Sequence, residues 1–197
     1  MNRNFYRIKD EVRILGLDDG PFKRGDRQVL VVGVVYRGGK FLDGVVSTKV
    51  RVDGLDATKK LALMIKDTRF GDLRVVMLDG LAFGGFNMVD MQKLYEETGL
   101  PVIAVTRDKP NLEDIANALE HLKNKRWRWA CIEKAGEPAK VETKPGRFIY
   151  MQHHGINRGD AEAIVKLSAT RSLLPEPIRA AHLIAQGIVL GESKGKA

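Results

Sequence analysis

The sequence predicts an α/β fold built on one mixed sheet, an antiparallel three-strand meander followed by parallel strands, with helices on both faces. Three observations carry that expectation. The first third is rich in Val, Ile and Leu, with Gly- and Asp-containing connectors. After Gly54 helical and strand-like segments alternate. Two apolar runs, 12–17 and 74–79, each end on an aspartate that meets a glycine, at Asp18-Asp19-Gly20 and Asp79-Gly80. The unbroken stretch Val75-Val76-Met77-Leu78 reads as a strand covered on both faces, which is how parallel strands are used.

The elements follow in order. Strands are expected at 12–17, 28–36 and 41–52, the last two joined by Arg37-Gly38-Gly39-Lys40, a hairpin signal. Leu61, Met64 and Ile65 form a helical stripe between Ala57 and Thr68. A strand at 74–79, a helix at 88–98, a strand at 102–106 and a helix at 111–122 come next, with Asn111 placed to start the last of these after Pro110. Residues 127–132 read as a strand with Trp127 and Trp129 on one face and the neighbouring cations in water. A charged segment, 133–146, precedes a short apolar run at 148–151, a helix at 158–168 and a closing helix from Pro175-Glu176-Pro177 to about Gly187. Residues 192–197 form a polar tail. With no internal repeat and no second core, 1–197 is expected to be one domain.

Bulk properties narrow the function classes. Thirty-three Lys and Arg against 25 Asp and Glu give a net charge of +8, which favours a polyanionic partner such as DNA or RNA, because phosphate contacts release counterions. The densest basic stretch, Lys123 to Trp129, interleaves cations with aromatics. No apolar run approaches the roughly 20 residues of a membrane span, so no membrane partner is expected. The single Cys131 cannot form an internal disulfide and fits a cytoplasmic location.

The candidate site follows from the two strand-end acids. In open α/β sheets the carboxyl ends of strands are where ligands are held. Carboxylates gathered there bind hard cations such as Mg²⁺ or Mn²⁺, which support phosphodiester hydrolysis. Asp18, Asp19, Asp79, Asp53 and Asp56 are the candidates. The Asp-Gly pairs equally make tight turns, and Asp56 stands where it would cap the next helix. Gly84-Gly85 lies in a loop able to present amides to a phosphate. It matches neither a dinucleotide fingerprint nor a P-loop.

Gly16-Leu17-Asp18, then Leu78-Asp79-Gly80, then Leu100-Pro101-Val102-Ile103-Ala104-Val105, resemble endonuclease V. His154-Gly155-Ile156-Asn157 and Leu174-Pro175-Glu176-Pro177-Ile178-Arg179-Ala180-Ala181-His182 are similar to its closing segments. The match covers most of the chain in order, and it is nearest to an uncharacterised, mainly archaeal branch related to endonuclease V. The resemblance implies a ribonuclease-H-like fold and a Mg²⁺-dependent nuclease acting near deaminated adenine. It implies Asp18 and Asp79 as metal-binding acids, His154 as the active-site histidine and Arg107 in the place of a lysine near the site.

The sequence departs from that pattern in three places. The Pro-Tyr-Ile-Pro wedge falls at Val50-Arg51-Val52-Asp53, a His-Pro-Arg stretch is replaced by Gly84-Gly85-Phe86-Asn87, and the catalytic glutamate falls at Lys60. Losing the first two removes features tied to deaminated bases. Lys60 leaves two arrangements open: Asp56 or Asp53 completes the metal shell, with Asp19 in support, or Lys60 pairs with Asp18 or Asp79 and closes the site. The expected function is accordingly a divalent-metal nuclease or phosphodiesterase. Its rivals are a non-catalytic nucleic-acid-binding protein and a small-molecule phosphate enzyme using the 80–87 loop.

Overall fold

A computed structural model describes residues 7–194. Strands β1 (Arg13–Asp19), β2 (Gln28–Arg37) and β3 (Phe41–Arg51) form the antiparallel meander; β4 (Val75–Asp79) and β7 (Val102–Thr106) run parallel to β1; β8 (Ala139–Lys144) and β9 (Arg147–His154) close the far edge. The order across the seven-stranded sheet is β3-β2-β1-β4-β7-β9-β8. A two-stranded ribbon, β5 (Ala82–Phe83) with β6 (Asn87–Met88), stands beyond the end of β4. The helices are α1 (Ala57–Asp67), α2 (Met91–Thr98), α3 (Leu112–Leu119), α4 (Lys125–Ala135), α5 (Arg158–Ser168) and α6 (Glu176–Leu190).

Alternation along the central strands sorts side chains to two faces. Leu15, Leu17, Val76, Leu78, Val102 and Ala104 pack with α1 and α2. Ile14, Val75, Met77, Ile103 and Val105 pack with α5 and the start of α6. Both faces of the middle strands are therefore buried, as their unbroken apolar sequences require.

Two expectations are corrected. Residues 127–132 are not a strand but lie within α4. The every-other-residue rhythm of Arg126-Trp127-Arg128-Trp129 imitates a strand, yet Arg128 is 2% exposed and Trp127 37% exposed, the inverse of that reading. The buried face is Arg128, Cys131 and Ile132, at helical spacing. What overrides the charge is a set of four carbonyl acceptors: Arg128 donates to Lys123 O, Gly54 O, Asp53 O and Phe86 O. The segment 133–146, read as merely charged, contains β8, a sheet-edge strand whose Lys140 side chain is exposed. Of the polar tail, residues 192–194 are described and 195–197 lie outside the described residues.

Candidate metal centre

Asp18 and Asp79 end neighbouring parallel strands, with Gly16 paired to Met77 and Leu17 to Leu78. Counting by twos from Gly16 and Met77 puts both carboxylates on the α6 face. Gly16 decides how near α6 can lie. A Cβ at that position would sit 2.6 Å from the Pro177 carbonyl oxygen, so only glycine admits the helix backbone there. Small residues continue the close approach, with Ala180, Ala181 and Ala185 buried against Val32 and Val34. The helix start is fixed by Glu176, which is buried and accepts from Arg179 Nε and Nη2 and from the Arg171 amide.

This packing delivers His182. Its Nδ1 lies 2.8 Å from Asp18 Oδ2. Asp18, Asp79 and His182 each offer one ligand atom, and the three lie within 4.8 Å of one another. The far side of the ring is also held: Gln186 Nε2 is 3.0 Å from His182 Nε2, and Gln186 Oε1 accepts from the Lys194 amide. That amide orientation makes Gln186 the donor, so Nε2 accepts and the Nδ1–H donates to Asp18.

Electrostatics mark the cluster as short of positive charge. Burial and the adjacent Asp18 push Asp79 up to about 7, against the opposing influence of His182 and Arg107. Burial raises Asp19 to about 6, opposed by the hydrogen bond from the Gly84 amide and helped by the charge of Asp18. The hydrogen bond to Asp18 raises His182. Asp79, a buried carboxyl that resists losing its proton, stands with Asp18 and one imidazole in a donor set suited to a hard divalent cation.

The structure gathers some of the predicted residues and not others. Asp18 and Asp79 meet. Asp19 points to the opposite face, where its Oδ2 accepts from the Gly84 amide. The charge of Arg107 acts on Asp79 and His182. Asp53, at φ 48, accepts from the Phe86 amide, and Asp56 is held by Arg51 and Asn87, so both serve the loop ahead of α1 and stand outside the grouped donors. Burial would raise Asp56, yet the hydrogen bonds from Asn87 and Arg51 prevail and hold it below the usual carboxylate range. Asp56 does not cap α1 with its side chain; the Asn87 carbonyl oxygen takes the Ala57 amide instead.

The histidine at the acids is His182, not His154. His154 pairs with Val102 on β7, whereas Asp79 pairs with Val105, three residues along the same strand, which is roughly 10 Å at strand spacing. Its ring packs edge-on to Tyr95, with centroids 5.5 Å apart. Lys60 makes no ion pair with Asp18 or Asp79 among the described residues; it is exposed on α1, along a groove with Ser47 and Thr48. In the 80–87 loop the amides of Gly84 and Phe86 are spent on Asp19 and Asp53.

A family model described as endonuclease dU matches residues 10–189. The chain belongs to the endonuclease dU family. A UPF0215 protein from Methanothermobacter thermautotrophicus is 53% identical over 199 residues, covering 100% of this chain and 97% of its own. The family's fold is also seen in a crystal structure of a protein of unknown function from Archaeoglobus fulgidus, at 40% identity and TM-score 0.81 over 90% of this chain and 98% of that one. Ciona intestinalis endonuclease V, solved with a 24mer DNA containing an inosine followed by a ribo-adenosine, superposes at TM-score 0.56 and 19% identity, over 86% and 82% of the two chains. The fold is thus ribonuclease-H-like, and the chain is nuclease-like and related to archaeal UPF0215 proteins. No helix among the described residues is long and apolar enough to cross a membrane.

Proposed function

We propose that this protein is a divalent-metal-dependent nuclease acting on DNA or RNA. The observation that carries the reading is the convergence of Asp18, Asp79 and His182 at the carboxyl ends of β1 and β4. Asp18 and Asp79 would hold Mg²⁺ or Mn²⁺. When bound, such an ion supplies Lewis-acid stabilisation of phosphoryl oxygens and lowers the pKa of water. His182 donates from Nδ1 to Asp18 Oδ2 and the Asp19 amide donates to Oδ1, so the carboxylate is held in one orientation. Arg107, whose charge already reaches Asp79, is placed to meet a phosphate. Asp19, anchored by Gly84, adds negative charge from the other face. The net charge of +8 suits a polyanion.

Lys60, standing where the resemblance expects a glutamate, keeps a non-catalytic nucleic-acid-binding protein as the rival. Cleavage separates the two. Single- and double-stranded DNA and RNA, including strands with deoxyuridine or inosine, would be incubated with Mg²⁺ or Mn²⁺ and the wild type or Asp18→Asn. We expect cleavage by the wild type and a loss on the order of a thousandfold in the variant. Salt-sensitive binding without cleavage of any strand would favour the rival.

A further inference from the structure

One edge of the sheet is β3, and no described strand lies beyond it. Its backbone is closed at one end only. Arg51 turns its peptide groups away from β2, where its N–H donates to Asp56 Oδ1 and its carbonyl accepts from Asn87 Nδ2. The next residue, Val52, instead donates to Arg27 O on the β2 side. Residues of an antiparallel ladder alternate in this way, and the β2–β3 register runs unbroken from Arg51 to Gly44. The N–H and C=O groups of Lys49, Ser47 and Val45 therefore point out from the edge, as an open ladder able to take a further strand.

Beside this edge runs a groove of about 450 Å³, walled on one side by Val46, Ser47 and Thr48. α1 forms the other wall with Lys60, Leu63, Met64 and Asp67, one stripe at i, i+3, i+4 and i+7. Leu63, at its middle, is 42% exposed. The two charges stand at its ends, and both oppose their own helix. A cation lies towards the N-terminus and an anion is the last residue, the reverse of what the helix dipole favours.

This stripe is complementary to itself run backwards. Antiparallel across a two-fold axis, Lys60 meets the partner's Asp67, and Leu63 meets the partner's Met64. The midpoint of the stripe lies between Leu63 and Met64, and Ser47 is the middle of the β3 wall, so one axis through the groove serves both elements. That axis joins the two open ladders and sets the partner's Lys49 opposite Val45, whose exposed side chain its stem covers.

We infer that β3 and α1 form a two-fold interface with a second copy of this chain, pairing the β3 strands antiparallel and packing the α1 helices across the axis. β2 separates this edge from β1 and its Asp18, so the interface leaves the acid cluster uncovered and stands apart from the nuclease reading.

Sedimentation equilibrium up to roughly 100 μM tests the interface, and the wild type is expected to show twice the mass of the chain. Lys60→Asp and Asp67→Lys should each weaken association about tenfold or more, since each sets like charges across the axis twice. Both positions are exposed, so the circular dichroism of each variant should match that of the wild type. Mixed one to one, the two variants should recover the dimer, because every Asp then faces a Lys again. The double variant, Lys60→Asp with Asp67→Lys, should recover it alone. A wild type that stays monomeric, a Lys60→Asp protein that dimerises like the wild type, or single variants that remain monomers when mixed would each overturn the interface.

Discussion

Replacing Asp79 with Asn is expected to stabilise the metal-free protein at pH 8 while removing its metal site. The folded-state value of Asp79 is raised from 3.8 to about 7. A carboxyl raised in this way contributes stability that is fully present below the unfolded value and is lost as the pH climbs through the folded value. At pH 8 the wild type holds a buried charge facing Asp18, and the amide does not. A shift of about three units, shared with Asp18, corresponds to about 2–4 kcal/mol, or roughly 5–10 °C in Tm for a chain of this size. The gap should shrink by pH 5 and close only near pH 4, where Asp79 is protonated in the unfolded chain as well. Asp19, raised to about 6, and His182, also raised, contribute with the same sign. The variant therefore keeps a weaker fall of stability with rising pH. Thermal melts of both proteins at pH 5 and pH 8 in a chelator check this. A variant less stable than the wild type at pH 8 would contradict the electrostatic account.

Gly16→Ala is the second large effect. The added methyl meets the backbone of Pro177, which no rotamer change relieves. Either β1 or α6 must move, and α6 carries His182. We expect a loss of about 2–3 kcal/mol, or roughly 5–10 °C in Tm. Metal affinity should fall further than in Gly33→Ala, where the added methyl meets the side chains of Val46, Leu17 and Leu15 and no part of α6. Equal effects of the two substitutions on metal affinity would show that the approach of α6 does not set the site.

The sequence made the sheet legible because its central strands are buried on both faces and say so in unbroken Val, Ile and Leu. The acid pair was legible for the same reason: Asp18 and Asp79 stop apolar strands that must run side by side. His182 was not, although the closing segment that contains it is similar to that of endonuclease V. Its role depends on how closely α6 approaches β1, and only the pairing of Gly16 with Pro177 reveals that distance. His154 shares a residue type with the site but lies at the wrong end of β7. α4 was misread because a buried arginine inverted the expected alternation, and the carbonyls that satisfy Arg128 come from residues 53, 54, 86 and 123, three of them far away in sequence. Asp53 and Asp56 were credible ligands by composition; the backbone amides and side chains around them claim their oxygens.

The measurement that bears most directly on the metal centre is isothermal calorimetry with Mn²⁺ at pH 8 on the wild type, Asp79→Asn and Lys60→Ala. The carboxylate–histidine site predicts micromolar binding to the wild type, its loss in Asp79→Asn, and an affinity within about twofold of wild type in Lys60→Ala, because Lys60 lies apart on α1. Binding that survives in Asp79→Asn, or its absence from a folded wild type, would contradict a metal centre built on Asp18, Asp79 and His182.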